Sequence, residues 1–332
     1  MTESTARRVT SADVARLAGV SRATVSYVLN DTPRQTISAT TRGRVIDAAA
    51  QLGYAPSAAA RTLRTGRSDV VLCLLPDWPI GPEVGSLLGN LSTALARHGL
   101  TFVVHPGNHN DRPMAELWKA ITPAAVIGFT DFSEAELAAM RSAGVAPVVA
   151  LARSRTRGRA VAVPQELVGR RQAEHLIAAG HTRLGYAYPD DQRVRFFAEP
   201  RLAGVRAAAT AQRLPVPAAA TVALDVTKAS EAVRRWRAAG ITGVCAYNDE
   251  VALAVLAGVR QQGLTSPADL AVIGVDDIPS ARLAEPPLTT VMTDQAAVAT
   301  HLAATVVAAV SGRDGPALPV KNVVKVVARD SA

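Results

Sequence analysis

From Val70 to Val275 the chain repeats one alternation, a short apolar run followed by a longer stretch of helical periodicity. The runs are VVLCLL, TFVVH, AAVIGF, PVVAL, LGYAY, TVAL, GVCAY and AVIGV. Apolar runs this short, without strict alternation, are the pattern of strands buried on both faces, and the helical stretches between them supply the crossovers that make neighbouring strands parallel. Parallel sheets covered by helices are therefore expected over this region. With 332 residues and 48% hydrophobic content, the chain can bury more than one core.

The first 67 residues differ in kind. Val9-Thr10-Ser11-Ala12-Asp13 reads as a helix start, with Thr10 as N-cap and Asp13 as its capping-box partner. The helix is expected to reach about Leu17. A tight turn through Ala18-Gly19-Val20 follows, with Gly19 suited to a left-handed C-cap, and Ser21 caps a second helix through Leu29. In that helix Val25, Val28 and Leu29 share an apolar stripe, which leaves Arg22, Ala23, Ser26 and Tyr27 free to face a groove. A third helix, from the Ser38 cap to Gly53, is expected to bury Val45, Ile46, Ala49 and Leu52.

Charge follows the same division. The net charge is +8, and residues 1–67 hold ten arginines against Glu3, Asp13, Asp31 and Asp47, a share of +6. A basic N-terminal fifth on a nearly neutral body suits a tethered module that binds a polyanion, because arginine contacts to phosphate give affinity through counterion release.

The run VTSADVARLAGVSRATVSYVLN, followed by TRGRVIDAAAQLGYAPSAAARTLRTGR, closely resembles the headpiece and hinge of the lactose-repressor (LacI) family of bacterial regulators. The resemblance implies a helix-turn-helix headpiece over 1–56, a hinge helix and linker over 57–67, and an effector-binding and dimerisation core over 68–332. It places the helix from Ser21 to Asn30 in the major groove of an operator, with Arg22 and Ala23 at the two variable base-reading positions and Ser26 and Asn30 at backbone-contacting ones. Thr10, Ser21 and Thr24 join them as expected DNA-binding residues. Tyr27 stands where many members have a guanine-reading arginine, and a tyrosine offers one hydroxyl and a ring edge for a thymine methyl. Pro56 to Leu63 is too short to be a stable helix alone. In the family this hinge folds on DNA, with Leu63 as the minor-groove wedge and Ala60 beside it.

The similarity continues through GHTRLGYAYP, EPRLAGVRAA, YNDEVALAVL and VIGVDDIPSARLAEPPLTTV. These resemble the family's periplasmic-binding-protein-like core, which implies an N-lobe of about 68–160 and 293–320 and a C-lobe of about 161–292 and 321–332. Arg201, Asn248 and Asp276 match positions that grip a sugar or nucleoside in relatives, each expected just after a strand or at a helix start. Asn248 and Asp276 also suit helix capping. Trp78 is placed either to stack on a ligand or to join the lobes. Ala152 stands about where sugar-binding members often have aspartate. The alternating Arg153, Arg155, Arg157 and Arg159 read either as a solvated loop or as a hold on an acidic ligand. The helix expected from about Ala296 to Val310 suits interlobe packing. No leucine heptad follows it, so a homodimer without a coiled-coil extension is expected.

Other classes lack their signatures. No G-x-G-x-x-G or P-loop follows a strand, no nucleophile pairs with a base, and no cofactor is implied. His105, His109 and Asp111 lie in a loop-like HPGNHND and do not make a metal site, while Cys73 and Cys245 fall in apolar runs and read as core. No export signal or bilayer-length apolar run is present, so a cytoplasmic, nucleoid-associated protein is expected, with double-stranded DNA and a small-molecule effector as partners. A solute-binding protein or an α/β enzyme would share the core without the headpiece.

Overall fold

Asp13 Oδ2 accepts the Thr10 backbone N–H at 2.9 Å and the Thr10 hydroxyl at 2.7 Å, and so fixes the start of the first helix. The computed structural model describes residues 9–29, 36–54, 68–106, 121–150, 163–316 and 323–332. It divides the chain into two units, Met1–Asp69 and Val70–Ala332.

The first unit is helical: α1 (Ser11–Ala18), α2 (Arg22–Leu29) and α3 (Ala39–Gln51). Gly19 ends α1 at φ 63°, a left-handed conformation that glycine adopts at little steric cost. Ser21 Oγ accepts the Thr24 N–H at 3.0 Å and starts α2, while Ser38 Oγ accepts the Thr41 N–H at 3.2 Å and starts α3. Val14, Ala15, Ala18, Val25, Val28, Val45, Ala48 and Ala49 form the core of the unit. Ile46 was expected there but is 50% exposed. The stripe on α3 runs through Val45, Ala48, Ala49 and Leu52, and Ile46 lies about 100° off it, with no fourth helix to cover that side among the described residues.

The second unit begins with β1 (Val70–Leu75), α4 (Pro82–Ala96), β2 (Thr101–Pro106), β3 (Ala125–Gly128), α5 (Glu134–Ser142) and β4 (Ala146–Val149). The four strands pair in the order β2-β1-β3-β4, all parallel. Next come α6 (Gln165–Ala178), β5 (Leu184–Pro189), α7 (Arg195–Ala211), β6 (Ala218–Val222), α8 (Val226–Ala238), β7 (Gly243–Ala246), α9 (Asp249–Gln261), β8 (Ala271–Val275) and β9 (Thr289–Thr293). Then α10 (Gln295–Val310) returns to the first lobe and β10 (Val324–Val327) to the second, whose sheet runs β10-β9-β8-β7-β5-β6.

The central strands of each sheet, β1, β3, β7 and β8, are buried on both faces, which accounts for their continuous apolar runs. On β1, Val71, Cys73 and Leu75 pack with α4 and α10 through Leu91, Leu95, Leu302 and Val306, while Leu72 and Leu74 pack with Met140 of α5. On β8, Val272 joins a cluster with Trp236 and Leu256, and Ile273 joins one with Leu176 and Val205. The α10 helix is thus N-lobe core.

The sheets are parallel throughout Val70–Val275, as expected, and beyond it β10 pairs antiparallel with β9. One expectation needs correction. The sixth strand is Ala218–Val222, three residues before TVAL begins, since its ladder pairs Gly185 with Ala218 and Pro189 with Val222. Ladder geometry outweighs the weak β preference of its alanines.

Helices α6 and α7 cross backbone to backbone. A Cβ on Gly169 would lie 1.8 Å from the Arg201 carbonyl oxygen, and one on Gly204 would lie 2.0 Å from that of Glu166. This approach puts Arg201 beside the first turn of α6.

Candidate functional site

In open α/β sheets, ligands bind beyond the carboxyl ends of the strands, where the strand order reverses. The order β2-β1-β3 reverses around β1, and β6-β5-β7 around β5. A cleft of about 710 Å³ lies between the two lobes and is lined by residues that follow these strands: Trp78 after β1, Phe129 after β3, Asp190 and Asp191 after β5, Asn248 after β7 and Asp276 after β8. The first turns of α4, α6, α9 and α10 add Glu83, Gln165, Glu250 and Gln295.

All four residues expected to hold an effector, Trp78, Arg201, Asn248 and Asp276, line this one cleft. Arg201 is 8% exposed. Its Nε donates to Gln165 Oε1 at 2.8 Å, its Nη1 to the Tyr247 carbonyl at 2.7 Å, and its Nη2 lies 3.8 Å from Asp276 Oδ1. It was expected just after a strand or at a helix start, but it lies within α7, whose first residue is Arg195. It reaches the cleft because α7 crosses α6 so closely.

Asn248 Oδ1 accepts the Val251 N–H at 3.0 Å and caps α9, so its capping role is real, and its amide NH₂ is the group that can meet a ligand. Asp276 adopts φ 108° and the next residue, Asp277, φ 51°. Two anchors, the buried Asp249 and the half-buried Arg329, hold this strained turn. Asp249, at the start of α9, accepts the Thr290 hydroxyl at 2.6 Å and the Ile278 N–H at 2.9 Å. Arg329 pairs with Asp277 at 2.5 Å.

Electrostatics in the cleft are governed by burial. It pushes the Asp276 carboxyl up to about 6, against the pull of Arg201 and with a further push from Glu250. Burial also lifts Asp249 to about 7 and Glu83 to about 8, Asp276 adding to the rise at Glu83 while a hydrogen bond from Gln295 opposes it.

Trp78 both lines the cleft and joins the lobes. Its ring makes edge contacts with Phe129 at 5.1 Å and with Phe197 of α7 at 4.8 Å. Sequence reading missed Gln165, Glu83, Phe197 and Tyr247. A signal for the first two existed: each stands beside a proline at a helix start that follows a strand, and such starts point to the crevice.

In the helical unit, Arg22, Ala23 and Ser26 are exposed, and Tyr27 is 37% exposed. Thr10, Ser21 and Thr24 are committed to helix starts, through Asp13 for the first and through one another for the other two. Asn30, Ala60, Leu63, His109, Asp111, Ala152 and the stretch Arg153 to Arg159 lie outside the described residues. Cys73 and Cys245 are buried free thiols, and burial pushes Cys73 up to about 12, as suits core. Among the described residues no cluster could hold a metal ion, and no helix is long and apolar enough to cross a membrane.

A helix-turn-helix unit joined to a two-lobed unit with a ligand-sized cleft defines a DNA-binding regulator that carries its own small-molecule site. Residues 10–57 match the model of bacterial regulatory proteins of the lacI family, and residues 173–332 match a periplasmic binding protein-like domain. The HTH-type transcriptional regulator CelR of Thermobifida fusca is 32% identical over 86% of this chain and 87% of its own. GalR of Escherichia coli is 29% identical over 92% and 90%. Among solved structures, the Lac repressor dimer bound to operator and the anti-inducer ONPF superposes with a TM-score of 0.78 at 23% identity, covering 98% of this chain and 99% of that one. A CelR–cellobiose complex superposes at 0.67 and 25% identity, covering 98% and 100%. The chain belongs to the LacI family of bacterial regulatory proteins, a family of transcription regulators and not of enzymes.

Proposed function

We propose that the protein is an effector-controlled repressor that binds a pseudo-palindromic operator as a homodimer, in the cytoplasm and on the nucleoid. The α2 helix enters the major groove. Arg22, Ala23 and Tyr27 read bases there, Ser26 and Asn30 contact the backbone with Thr10, Ser21 and Thr24 at its edge, and Ala60 and Leu63 of the hinge occupy the central minor groove. The relatives solved with operator and with cellobiose support both halves of this reading.

The observation that carries the effector half is the convergence of Trp78, Arg201, Asn248 and Asp276 on one cleft although they are far apart in sequence. Asp276 and the Asn248 amide can bond adjacent hydroxyls of a sugar or nucleoside, and Arg201 orients Asp276. Ligand that changes the angle between lobes shifts the pairing of the hinges across the dimer, a coupling through one two-state element. Release of DNA by the effector is the expected sign. The test is selection of random duplex DNA by the purified protein at stated salt, followed by gel shifts with candidate ligands. An enriched palindrome that ligand weakens bears the reading out, and no enrichment with or without cell extract refutes it.

A further inference from the structure

Resting on the assignment of the cleft as the effector site, we infer that the effector is an uncharged, hydroxylated ring bearing a flat, weakly polar substituent, and not a phosphorylated or acidic metabolite.

The charge of the cleft carries the first half. Among the described residues its lining holds four carboxylates, Asp190, Asp191, Glu250 and Asp276, and the protonated Glu83, against two cations, Arg193 and Arg201. Both cations are already engaged. Arg193 forks onto Asp191, with Nη2 to Oδ2 at 2.7 Å and Nε to Oδ1 at 3.0 Å, and it reaches Asp77 at 3.5 Å. Arg201 is shared among Gln165, Tyr247 and Asp276, and its guanidinium lies 4.9 Å from the Tyr247 ring centroid. The start of α9, which could attract an anion, carries the chain's own acids Asp249 and Glu250 instead. A phosphate entering here would meet surplus negative charge and no unengaged guanidinium among the described residues.

The apolar lining carries the second half. Beyond the polar end, the walls are Trp78, Phe129, Val163, Phe197, Ile278 and Leu302. At the lips, Ile80 from the N-lobe is 58% exposed and Leu224 from the C-lobe is 67% exposed. Apolar side chains left in water on both lips of a cleft are complementary to an apolar group on the ligand, whose burial supplies affinity. A volume of about 710 Å³ also exceeds what one bare sugar ring fills. Aryl glycosides and nucleosides share this chemistry.

The experiment is calorimetric titration of the full chain with matched sets: each common aldose, its 4-nitrophenyl glycoside and its phosphate ester, together with adenosine and uridine against their monophosphates. The expected result is one set in which the uncharged, ring-substituted member binds at least about tenfold tighter than the bare sugar and tenfold tighter than the phosphate. A nucleoside in that role identifies nucleosides as the source, and a glycoside identifies glycosides. In the double variant Ile80→Ser, Leu224→Ser, both positions being exposed enough to spare the fold, the preference for the substituted ring is expected to fall toward parity. A phosphate ester binding tightest, equal affinity for bare and substituted rings, or no binding in any set overturns the inference. Selection of an operator from random DNA is run in parallel. An enriched motif beside negative titrations refutes the ligand class alone, whereas no motif, with or without cell extract, refutes the regulator reading itself.

Discussion

Arg201 holds Tyr247 twice, donating Nη1 to its carbonyl at 2.7 Å while its guanidinium carbon lies 4.9 Å from the centroid of its ring. With Gln165 and Asp276, this makes Arg201 the joint between α7, the end of β7 and the turn after β8. Removing it leaves Asp276 and the Tyr247 carbonyl without their partner at a largely buried point of the cleft. Arg201→Ala is expected to destabilise the core by about 3–5 kcal/mol, as when one partner of a buried pair is lost. Arg201→Lys keeps the charge but not the fork, and is expected to recover part of the stability while effector affinity stays low. Thermal unfolding and ligand titration of both variants check this. Equal stability of Arg201→Ala and the parent would show that the joint is idle.

The raised carboxyl of Glu83 makes a pH prediction with a definite sign. Facing it are Asp276 and Asp249, which raise it further, and Arg201 and Gln295, which lower it, burial being the largest cause. An ordinary glutamate loses its proton near 4.5, whereas folded Glu83 keeps it to about 8. Between those values the folded state binds more protons than the unfolded one, so stability falls as pH rises through the window. Asp249 and Asp276, raised to about 7 and about 6, act in the same direction. Glu83→Gln keeps a hydrogen-bonding amide without the proton. It is expected to flatten part of the slope, matching the parent near pH 4.5 and raising Tm by roughly 2–4 °C at pH 8. Melting curves across this range decide it, and parallel slopes would refute the assignment.

The α6–α7 crossing tests how the scaffold positions the site. A Cβ on Gly204 would lie 2.0 Å from a carbonyl oxygen of α6, which only a shift of one helix can relieve. Gly204→Ala is expected to cost about 1–3 kcal/mol as overpacking and to weaken the effector more than the cost in stability alone explains, because Arg201 moves away from Gln165. DNA binding without effector serves as the control. A variant with lower Tm but unchanged effector affinity would separate the crossing from the site.

Much of this was legible in the sequence for physical reasons that also mark where legibility stops. Caps are local: Thr10 with Asp13, Ser21 with Thr24, and Ser38 with Thr41 act within three residues, and all three hold. Strands buried on both faces announce themselves by composition, as VVLCLL does. Ile46 misled because apolarity marks a candidate for burial while only the packing partner decides it. The antiparallel β10 and the start of β6 depend on ladder partners far along the chain, and no local pattern encodes a partner. The cleft divides in the same way. Arg201, Asn248 and Asp276 came through family resemblance and Trp78 through its place after the first core strand, whereas Gln165, Phe197 and Tyr247 belong to it because two helices cross at glycines and two sheets turn their carboxyl edges toward one space.

The proposed base-reading role of Tyr27 makes a prediction about the operator. It is 37% exposed on α2, on the side of Arg22, Ala23 and Ser26, while Val25 and Val28 are buried on the other. A tyrosine in the major groove offers one hydroxyl and apolar ring contact, which suits a thymine methyl, while an arginine there forks onto the N7 and O6 of guanine. Tyr27→Arg is expected to change the base preferred at one position in each half-site to guanine, by about 1–3 kcal/mol, and to leave the other positions as they were. Tyr27→Ala is expected to relax that position without a new preference. Selection of random DNA with the parent and both variants, at one fixed salt concentration, gives the answer position by position. A uniform loss of affinity with the same motif would instead make Tyr27 a backbone or packing residue, and the base-reading face of α2 would then shrink to Arg22 and Ala23.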